Sequence, residues 1–203
     1  MPAYTAPFGF EPVKRRDGLP YAGFTREYPI ATGFATQLRR GDLVRLLDSG
    51  ALAKCADTAA IAGADTTDSG ILGIFMGCSY TDAVLGKTFR TYWTAATSAP
   101  DAVAMVVDDP RMLFRVAYVS GTTVISAQAY TDVIGKNVEV VQNTTATKFS
   151  DIAVTVTTSA DGPPFRVVDV DRDSRATIAS TTYTAVFVTY GVAAHAWTCI
   201  APT

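Results

Sequence analysis

The sequence predicts an all-β protein, a β-sandwich or barrel-like domain with an extended N-terminal arm and a small β insertion. Short apolar runs recur along the chain with Gly, Pro, Asp, Asn and Ser clusters between them, which is the pattern of strands joined by turns. Of the 203 residues 48% are hydrophobic and only 18% are charged, against about 25% in ordinary globular domains. Thr, Ala and Val replace the missing charges, and this composition suits strands with much covered surface.

The first 26 residues are predicted to form the arm. The stretch 6–20 carries three prolines, two aromatic residues and a basic triplet, namely Pro7, Pro12, Pro20, Phe8, Phe10, Lys14, Arg15 and Arg16. Each proline fixes its own φ and disfavours the α conformation in the residue before it, so no helix runs through this stretch. The pattern fits either an ordinary disordered terminus or an arm that docks on a neighbouring subunit. The aromatic and basic residues favour the docking arm.

The body of the chain is read as successive strands. A proline within 27–32 confines that first strand to a sheet edge. The runs 42–47 and 51–55 flank an Asp-Ser-Gly turn and predict a β-hairpin. The run 70–80 is apolar on both faces and predicts a central strand, whose three glycines indicate bulges or close approach of another backbone. Further strands are predicted at 87–92, 102–107, 112–119, 138–141, 152–156, 165–170 and 182–192.

These elements divide the chain into three predicted parts. The arm comprises 1–26, the main β domain comprises 27–107 together with 163–203, and the small β insertion comprises 108–162. An Asp-Asp-Pro turn opens the insertion and a Pro-Pro pair closes it. No repeat of solenoid period is present.

Charge and hydropathy exclude several classes of partner. The net charge is −2 and the sequence pI about 5.3, so no basic field covers the molecule and no nucleic-acid partner is predicted. No signal peptide and no apolar run near the roughly 20 residues that span a bilayer are seen, so no membrane partner is predicted. Cys55, Cys78 and Cys199 are odd in number and have no paired spacing, which predicts free buried thiols in a reducing compartment.

Catalytic chemistry finds little support. His195 is the only histidine, so a Ser-His-Asp or Cys-His system would need it, and its place at the end of an apolar strand favours a structural role. Asp169, Asp171 and Asp173 alternate and could bind Ca²⁺ through oxygen, but they lack the glycine and terminal glutamate of an EF-hand loop. No phosphate-binding or nucleophile motif occurs. We therefore predict no enzyme, no catalytic residue, no metal and no cofactor.

One alternative function stays open at this point, a carbohydrate-binding or polysaccharide-active β-sandwich. Asp108 and Asp109 could serve as a glycosidase carboxylate pair, although their place before a proline favours a turn. Trp93, Trp197 and nine tyrosines could supply sugar-stacking platforms, although aromatic residues in strands are more often core.

Four segments carry a resemblance to a known family. They are GFEPVKRRDG at 9–18, GILGIFMGC at 70–78 followed by YTD at 80–82, KTF at 87–89 with YW at 92–93, and AVAMVVDDP at 102–110. In these segments and their order, over residues 8–120, the chain resembles the head decoration, or capsid cement, proteins of short-tailed marine and cyanobacterial phages. None of the four is a catalytic signature, so the resemblance rests on their number and order.

The resemblance implies a structural virion protein that is made in the host cytoplasm and binds the outer surface of the capsid. Its partner would be the major capsid protein, whose neighbouring subunits it would bridge as a homo-dimer or homo-trimer. A major capsid or tail role is disfavoured, because no long spine helix and no repeats are visible.

Within the arm, we predict six capsid contacts, namely Phe8, Phe10, Val13, Lys14, Arg15 and Arg16. The aromatic residues would act as buried anchors and the cations would face acidic capsid surface. Removal of residues 1–20 is then expected to leave a folded protein that no longer binds heads.

Overall fold

The computed structural model of the protein describes residues 7–55, 69–118, 133–142, 150, 152–156, 164–171, 184–191 and 195–196. No helix is present among these residues, which confirms the all-β prediction, and the strands build a five-stranded barrel with additional sheets. None of the described residues therefore belongs to a helix long and apolar enough to cross a membrane.

Fourteen strands make up this part of the chain. In order they are β1 (Glu11–Arg15), β2 (Arg26–Pro29), β3 (Leu38–Arg39), β4 (Leu43–Leu46), β5 (Leu52–Lys54), β6 (Ser69–Asp82), β7 (Gly86–Arg90), β8 (Tyr92–Trp93), β9 (Val103–Val107), β10 (Met112–Tyr118), β11 (Asn137–Gln142), β12 (Ile152–Val156), β13 (Phe165–Val170) and β14 (Thr184–Tyr190).

The barrel is formed by the strand order β10-β12-β11-β13-β14, and it closes because β14 also pairs with β10. Among the described residues, strand β12 pairs with β10 only through Tyr118 and Val154. On the same edge of β10, the preceding residues Met112–Arg115 pair with β1. The barrel interior is apolar and aromatic, and the Tyr190 ring contacts the rings of both Phe114 and Phe165. Closure removes the exposed edges that an open sheet of this size would carry.

A second sheet has the order β2-β9-β6-β4-β5, with β7 also paired to β6, and β3 and β8 form a separate pair. The predicted edge strand is confirmed, since β2 carries Pro29 and pairs only with β9 among the described residues. The predicted hairpin is confirmed as β4 and β5, whose turn needs Gly50 at a φ of +77°. Trp93 and Phe75 lie fully buried in the core of this sheet.

Strand β6 is the central strand that its sequence predicts, lying between β4 and β9. The glycines behave as predicted. A Cβ on Gly73 would overlap the carbonyl oxygen of Val107 in β9, and a Cβ on Gly77 would lie 2.8 Å from that of Arg90. The register against β9 shifts between Phe75 and Gly77, which marks a bulge. Neighbouring backbones therefore pack more closely on β6 than any side chain would allow.

We expect Gly73→Ala to lower the free energy of unfolding by about 1–3 kcal/mol, because the added methyl group forces β6 and β9 apart. Denaturant unfolding measures the effect. Ser79→Ala, a half-buried position on the same strand, adds no atom and serves as the control. Equal unfolding midpoints for the two variants would contradict the close packing.

The sheets do not follow the predicted domain boundaries. Strands β10, β11 and β12 fall within the predicted insertion 108–162, yet they share one barrel with β13 and β14 from 163–203. The reason is the long-range pairing of β10 with β14, from Leu113 opposite Thr189 to Tyr118 opposite Thr184, which no local pattern reveals. The second sheet instead takes all its strands from 26–107.

Candidate binding surface

The N-terminal segment lies on the barrel of its own chain. It is extended, as predicted, but β1 runs antiparallel to β10 and does not leave the body. Just before it, the Phe10 amide donates to the Gly41 carbonyl over 2.9 Å. Gly9 has a φ of +76°, and a Cβ there would overlap Ser150. A glycine is therefore required where the segment enters the body.

Phe10 is a core residue of the barrel. Its side chain is 1% exposed, and its ring centre lies 4.8 Å from that of Phe165 and 6.1 Å from that of Phe114. This placement corrects the prediction that Phe10 is a capsid contact, because its ring is already buried within its own chain. The pairing of β1 with β10 carries the ring into the barrel, where it holds the segment to its own chain.

After β1 the chain turns back on itself and forms what we call the N-terminal hairpin, residues 13–21. The Arg15 amide donates to the Leu19 carbonyl over 2.8 Å, and the Tyr21 amide donates to the Val13 carbonyl over 3.1 Å. The turn uses Gly18 at a φ of +90°. These bonds join the two sides of the hairpin, whose first side is β1 on the barrel.

The hairpin exposes both apolar and cationic side chains. Val13 on β1 is 37% exposed, and Leu19 in the turn is 54% exposed, where a large apolar residue is uncommon. Lys14 and Arg16 are also exposed. The Arg16 amide donates to the Arg111 carbonyl over 2.8 Å, which brings a third exposed basic residue beside the hairpin.

Arg15 differs from the other two residues of the basic triplet. Its guanidinium lies 3.2 Å from an Asp17 oxygen and 3.2 Å from an Asp109 oxygen, and its side chain is only 26% exposed. The alternation of a strand turns Arg15 away from the side chains on either side of it. Arg15 therefore fixes the hairpin to the β9–β10 turn and has its charge neutralised within the chain.

Phe8 lies half-buried at the start of the segment. The Arg115 guanidinium carbon is 5.7 Å from its ring centre, within the range of a cation–π contact. The same guanidinium lies 3.1 Å from an Asp171 oxygen. Phe8 and Asp171 thus both contact Arg115 of β10. Asp171, one of the three carboxylates considered as Ca²⁺ ligands, is therefore paired with a guanidinium group of its own chain.

A cleft of about 500 Å³ lies beside the hairpin and is lined by Phe24, Thr25, Arg26, Asp108, Asp109 and Pro110. Asp108 accepts a hydrogen bond of 2.7 Å from the Tyr28 hydroxyl and lies 3.1 Å from the Arg26 guanidinium. Burial, and then the bond to Asp108, raise the pKa of Tyr28, so its hydroxyl keeps the donated proton at neutral pH. Both carboxylates of the considered glycosidase pair are thus engaged by this chain's own cations.

The other candidate residues are part of the core or lie outside the described residues. Trp93 is fully buried with its ring centre 5.5 Å from Tyr80, so it offers no sugar-stacking face. His195 is 3% exposed and packs 4.5 Å from the Tyr190 ring centre. Burial lowers the pKa of His195 despite the opposing effects of Asp108 and the Leu72 backbone, which makes it a neutral core residue. Trp197 and Asp173 lie outside the described residues.

Two of the three cysteines are free and buried, as predicted, and the third, Cys199, lies outside the described residues. Burial raises the pKa of the Cys78 thiol to about 11, so it stays protonated and unreactive at neutral pH. Within the described part of the chain, no three His, Cys, Asp or Glu side chains are close enough to hold a metal ion.

Two exposed apolar residues at the N-terminal hairpin and the cleft beside it, Leu19 and Phe24, were not predicted from the sequence. Leu19 follows a glycine and precedes a proline, and an apolar side chain in such a turn was the available signal. Phe24 is 45% exposed and its ring centre lies 5.8 Å from that of Tyr21. No pattern in the sequence distinguishes it from a core aromatic residue.

Comparison with known proteins leaves the family open. The chain matches no protein-family model, no curated protein and no solved structure. The resemblance to phage head decoration proteins therefore remains an expectation from four sequence segments.

Proposed function

We propose that the protein is a structural virion protein that binds the outer surface of a phage capsid and cements neighbouring major capsid subunits. The observation that carries the proposal is the N-terminal hairpin, which presents exposed apolar and cationic side chains from a base anchored in the barrel. The GFEPVKRRDG segment of the resemblance covers the anchor and most of the hairpin, so the two lines of argument meet in the same residues.

An anchored hairpin suits tight binding better than a free arm does. Ordering about 20 free residues costs on the order of 20–40 kcal/mol in backbone entropy, which the contacts of a free arm would have to offset. Here β1 is already paired with β10 and Phe10 is already buried. Binding then needs only the side chains of the hairpin to become ordered, and preorganisation of this kind raises affinity.

The apolar and the cationic side chains of the hairpin would have different roles in binding. Val13 and Leu19 would be desolvated against the capsid and supply most of the affinity. Lys14 and Arg16 would face acidic capsid surface and contribute association rate and register. Phe10 and Arg15 hold the hairpin in place, so the predicted contact set is reduced to the exposed residues, with Phe8 at its margin.

Charge reversal tests the proposal without disturbing the core. We expect Lys14→Glu with Arg16→Glu to weaken binding to expanded heads that lack the protein by about tenfold or more. Binding is measured by co-sedimentation over a range of protein concentrations.

The control is Lys136→Glu with Arg166→Glu, which makes the same change in net charge at two exposed positions elsewhere on the barrel. The control should bind as the unchanged protein does. Equal binding by both double variants, or equal loss in both, would contradict a specific role for the hairpin.

A further inference from the structure

The hairpin of β6 and β7 carries a second exposed apolar surface, far along the chain from the N-terminal hairpin. Its tip holds Val84, which is 90% exposed, and Leu85, which is 67% exposed. Phe89 on β7 is 56% exposed and Tyr92, just after β7, is 39% exposed. Turns ordinarily carry Gly, Pro, Asn, Asp or Ser. Two large apolar residues at the tip, continuous with two exposed aromatic residues, indicate a surface that binds another protein.

Strand β7 also offers an open edge. Within the described part of the chain it pairs only with β6, from Cys78 opposite Arg90 to Asp82 opposite Gly86. The outward edge of residues 86–90 therefore faces no second strand in that part of the chain, and the Thr88 hydroxyl donates a hydrogen bond of 3.0 Å to the Gly86 carbonyl there. Exposed edges of this kind pair readily with a further chain.

We propose that β7 pairs antiparallel with β7 of a second copy of this chain, about a two-fold axis at Thr88. This register uses all five residues of the strand and places Lys87 opposite Phe89 of the copy, and Gly86 opposite Arg90 of the copy. An interface about a two-fold axis must be self-complementary, and each of these pairs occurs twice.

Charge complementarity selects this register and this occupant. Gly86 has no side chain and lies opposite Asp82 within its own chain. Within its own chain Arg90 lies 3.9 Å from Asp82 and donates to the Tyr92 hydroxyl over 2.8 Å. Arg90 of the copy would lie in one row with Asp82, across a position that leaves it room, so each Asp82 would face two guanidinium groups. On the other face, Lys87 would meet the exposed ring of Phe89, a cation–π arrangement. Shifting the axis to Lys87 would instead set two like charges directly opposite each other.

The same register also brings the apolar tip, Val84 and Leu85, close to the second copy. Val84 and Leu85 lie in the turn just before β7, so they would lie at the end of the shared strand pair, on the side where Thr91 and Tyr92 of the copy follow β7. The exposed apolar residues of both chains would thus be covered together. The inference deepens the proposed function, since a pair of chains presents two N-terminal hairpins and can engage two capsid subunits at once. It does not depend on that function, because the purified protein alone tests it.

Two experiments test the dimer. Sedimentation velocity should show a dimer of the 21.5 kDa chain, and Leu85→Asp should raise its dissociation constant about tenfold or more. Leu19→Asp is the matched control, an exposed leucine on the N-terminal hairpin, and should leave the dimer unchanged. Thermal unfolding establishes that both variants remain folded.

Cysteine cross-linking tests the register. Residues directly opposite in an antiparallel pair have Cα atoms about 4.5–5.5 Å apart, within the range of about 4.4–6.8 Å that a disulfide accepts. Thr88→Cys should therefore form a disulfide between two copies, identified by mass spectrometry of the linked peptide, while Lys87→Cys should not. A monomer at high concentration, a dimer unaffected by Leu85→Asp, or cross-linking at 87 in preference to 88 would overturn the inference.

Discussion

Phe10→Ala is expected to lower the free energy of unfolding by about 3–5 kcal/mol, the usual cost of truncating a buried phenylalanine to alanine. The ring is 1% exposed and packs between Phe114 and Phe165, so its removal opens a cavity inside the barrel. Denaturant unfolding measures the loss.

The matched control is Phe24→Ala, since Phe24 is 45% exposed and its truncation should cost far less. If residues 7–21 formed a free arm, Phe10→Ala would change stability no more than Phe24→Ala does, and that result would contradict the anchored hairpin. The same argument revises the expected effect of deleting residues 1–20. The deletion removes Phe10 and β1 together, so it should unfold or aggregate the protein and cannot isolate binding.

Asp42→Ala should be about as destabilising, at roughly 3–5 kcal/mol. The Asp42 carboxylate is fully buried, lies 3.0 Å from the Lys54 ammonium, and accepts hydrogen bonds from the Arg39 amide and the Ser150 hydroxyl. Its removal withdraws a carboxylate that lies 3.0 Å from the ammonium of a lysine whose side chain is only 10% exposed, and it leaves the Arg39 amide without this acceptor. Loss of one partner of a buried ion pair costs far more than the intact pair contributes.

Asp48→Ala removes an exposed carboxylate from the nearby β4–β5 turn and should have an effect within about 0.5 kcal/mol. Ser150 comes from the chain just before β12, so Asp42 also links the second sheet to the barrel. Equal unfolding midpoints for the two variants would contradict the buried pair. A separate early transition in Asp42→Ala would indicate that the barrel and the second sheet unfold independently without it.

Local features of this fold are readable from its sequence. The β4–β5 hairpin follows from an Asp-Ser-Gly turn between two apolar runs, and the central place of β6 follows from apolar residues on both faces. The edge position of β2 follows from Pro29. Each of these depends on residues close together in the chain, where turn chemistry and periodicity act directly.

The barrel could not be predicted in the same way. It closes through the pairing of Leu113–Tyr118 with Thr184–Thr189, which are far apart in the sequence. The apolar alternation of both strands would fit many partners. Sequence order assigns 108–162 to an insertion, since consecutive strands usually lie side by side, whereas β10 pairs with the distant β14.

The candidate surface was predicted in part. Aromatic and basic residues marked the N-terminal segment, and Lys14 and Arg16 lie exposed there. Phe10 and Arg15 carry the same residue types but face the barrel and Asp109. The direction of each side chain depends on the pairing of β1 with β10, which the sequence of the segment alone does not specify.

Co-sedimentation with expanded heads that lack the protein is the decisive test of the proposal that this chain binds and reinforces a phage head. We expect saturable binding at a fixed ratio to the major capsid subunits, together with heads that survive heating to a higher temperature once the protein is bound. Failure to bind, or binding that never saturates and leaves the heat stability of the heads unchanged, would contradict the claim.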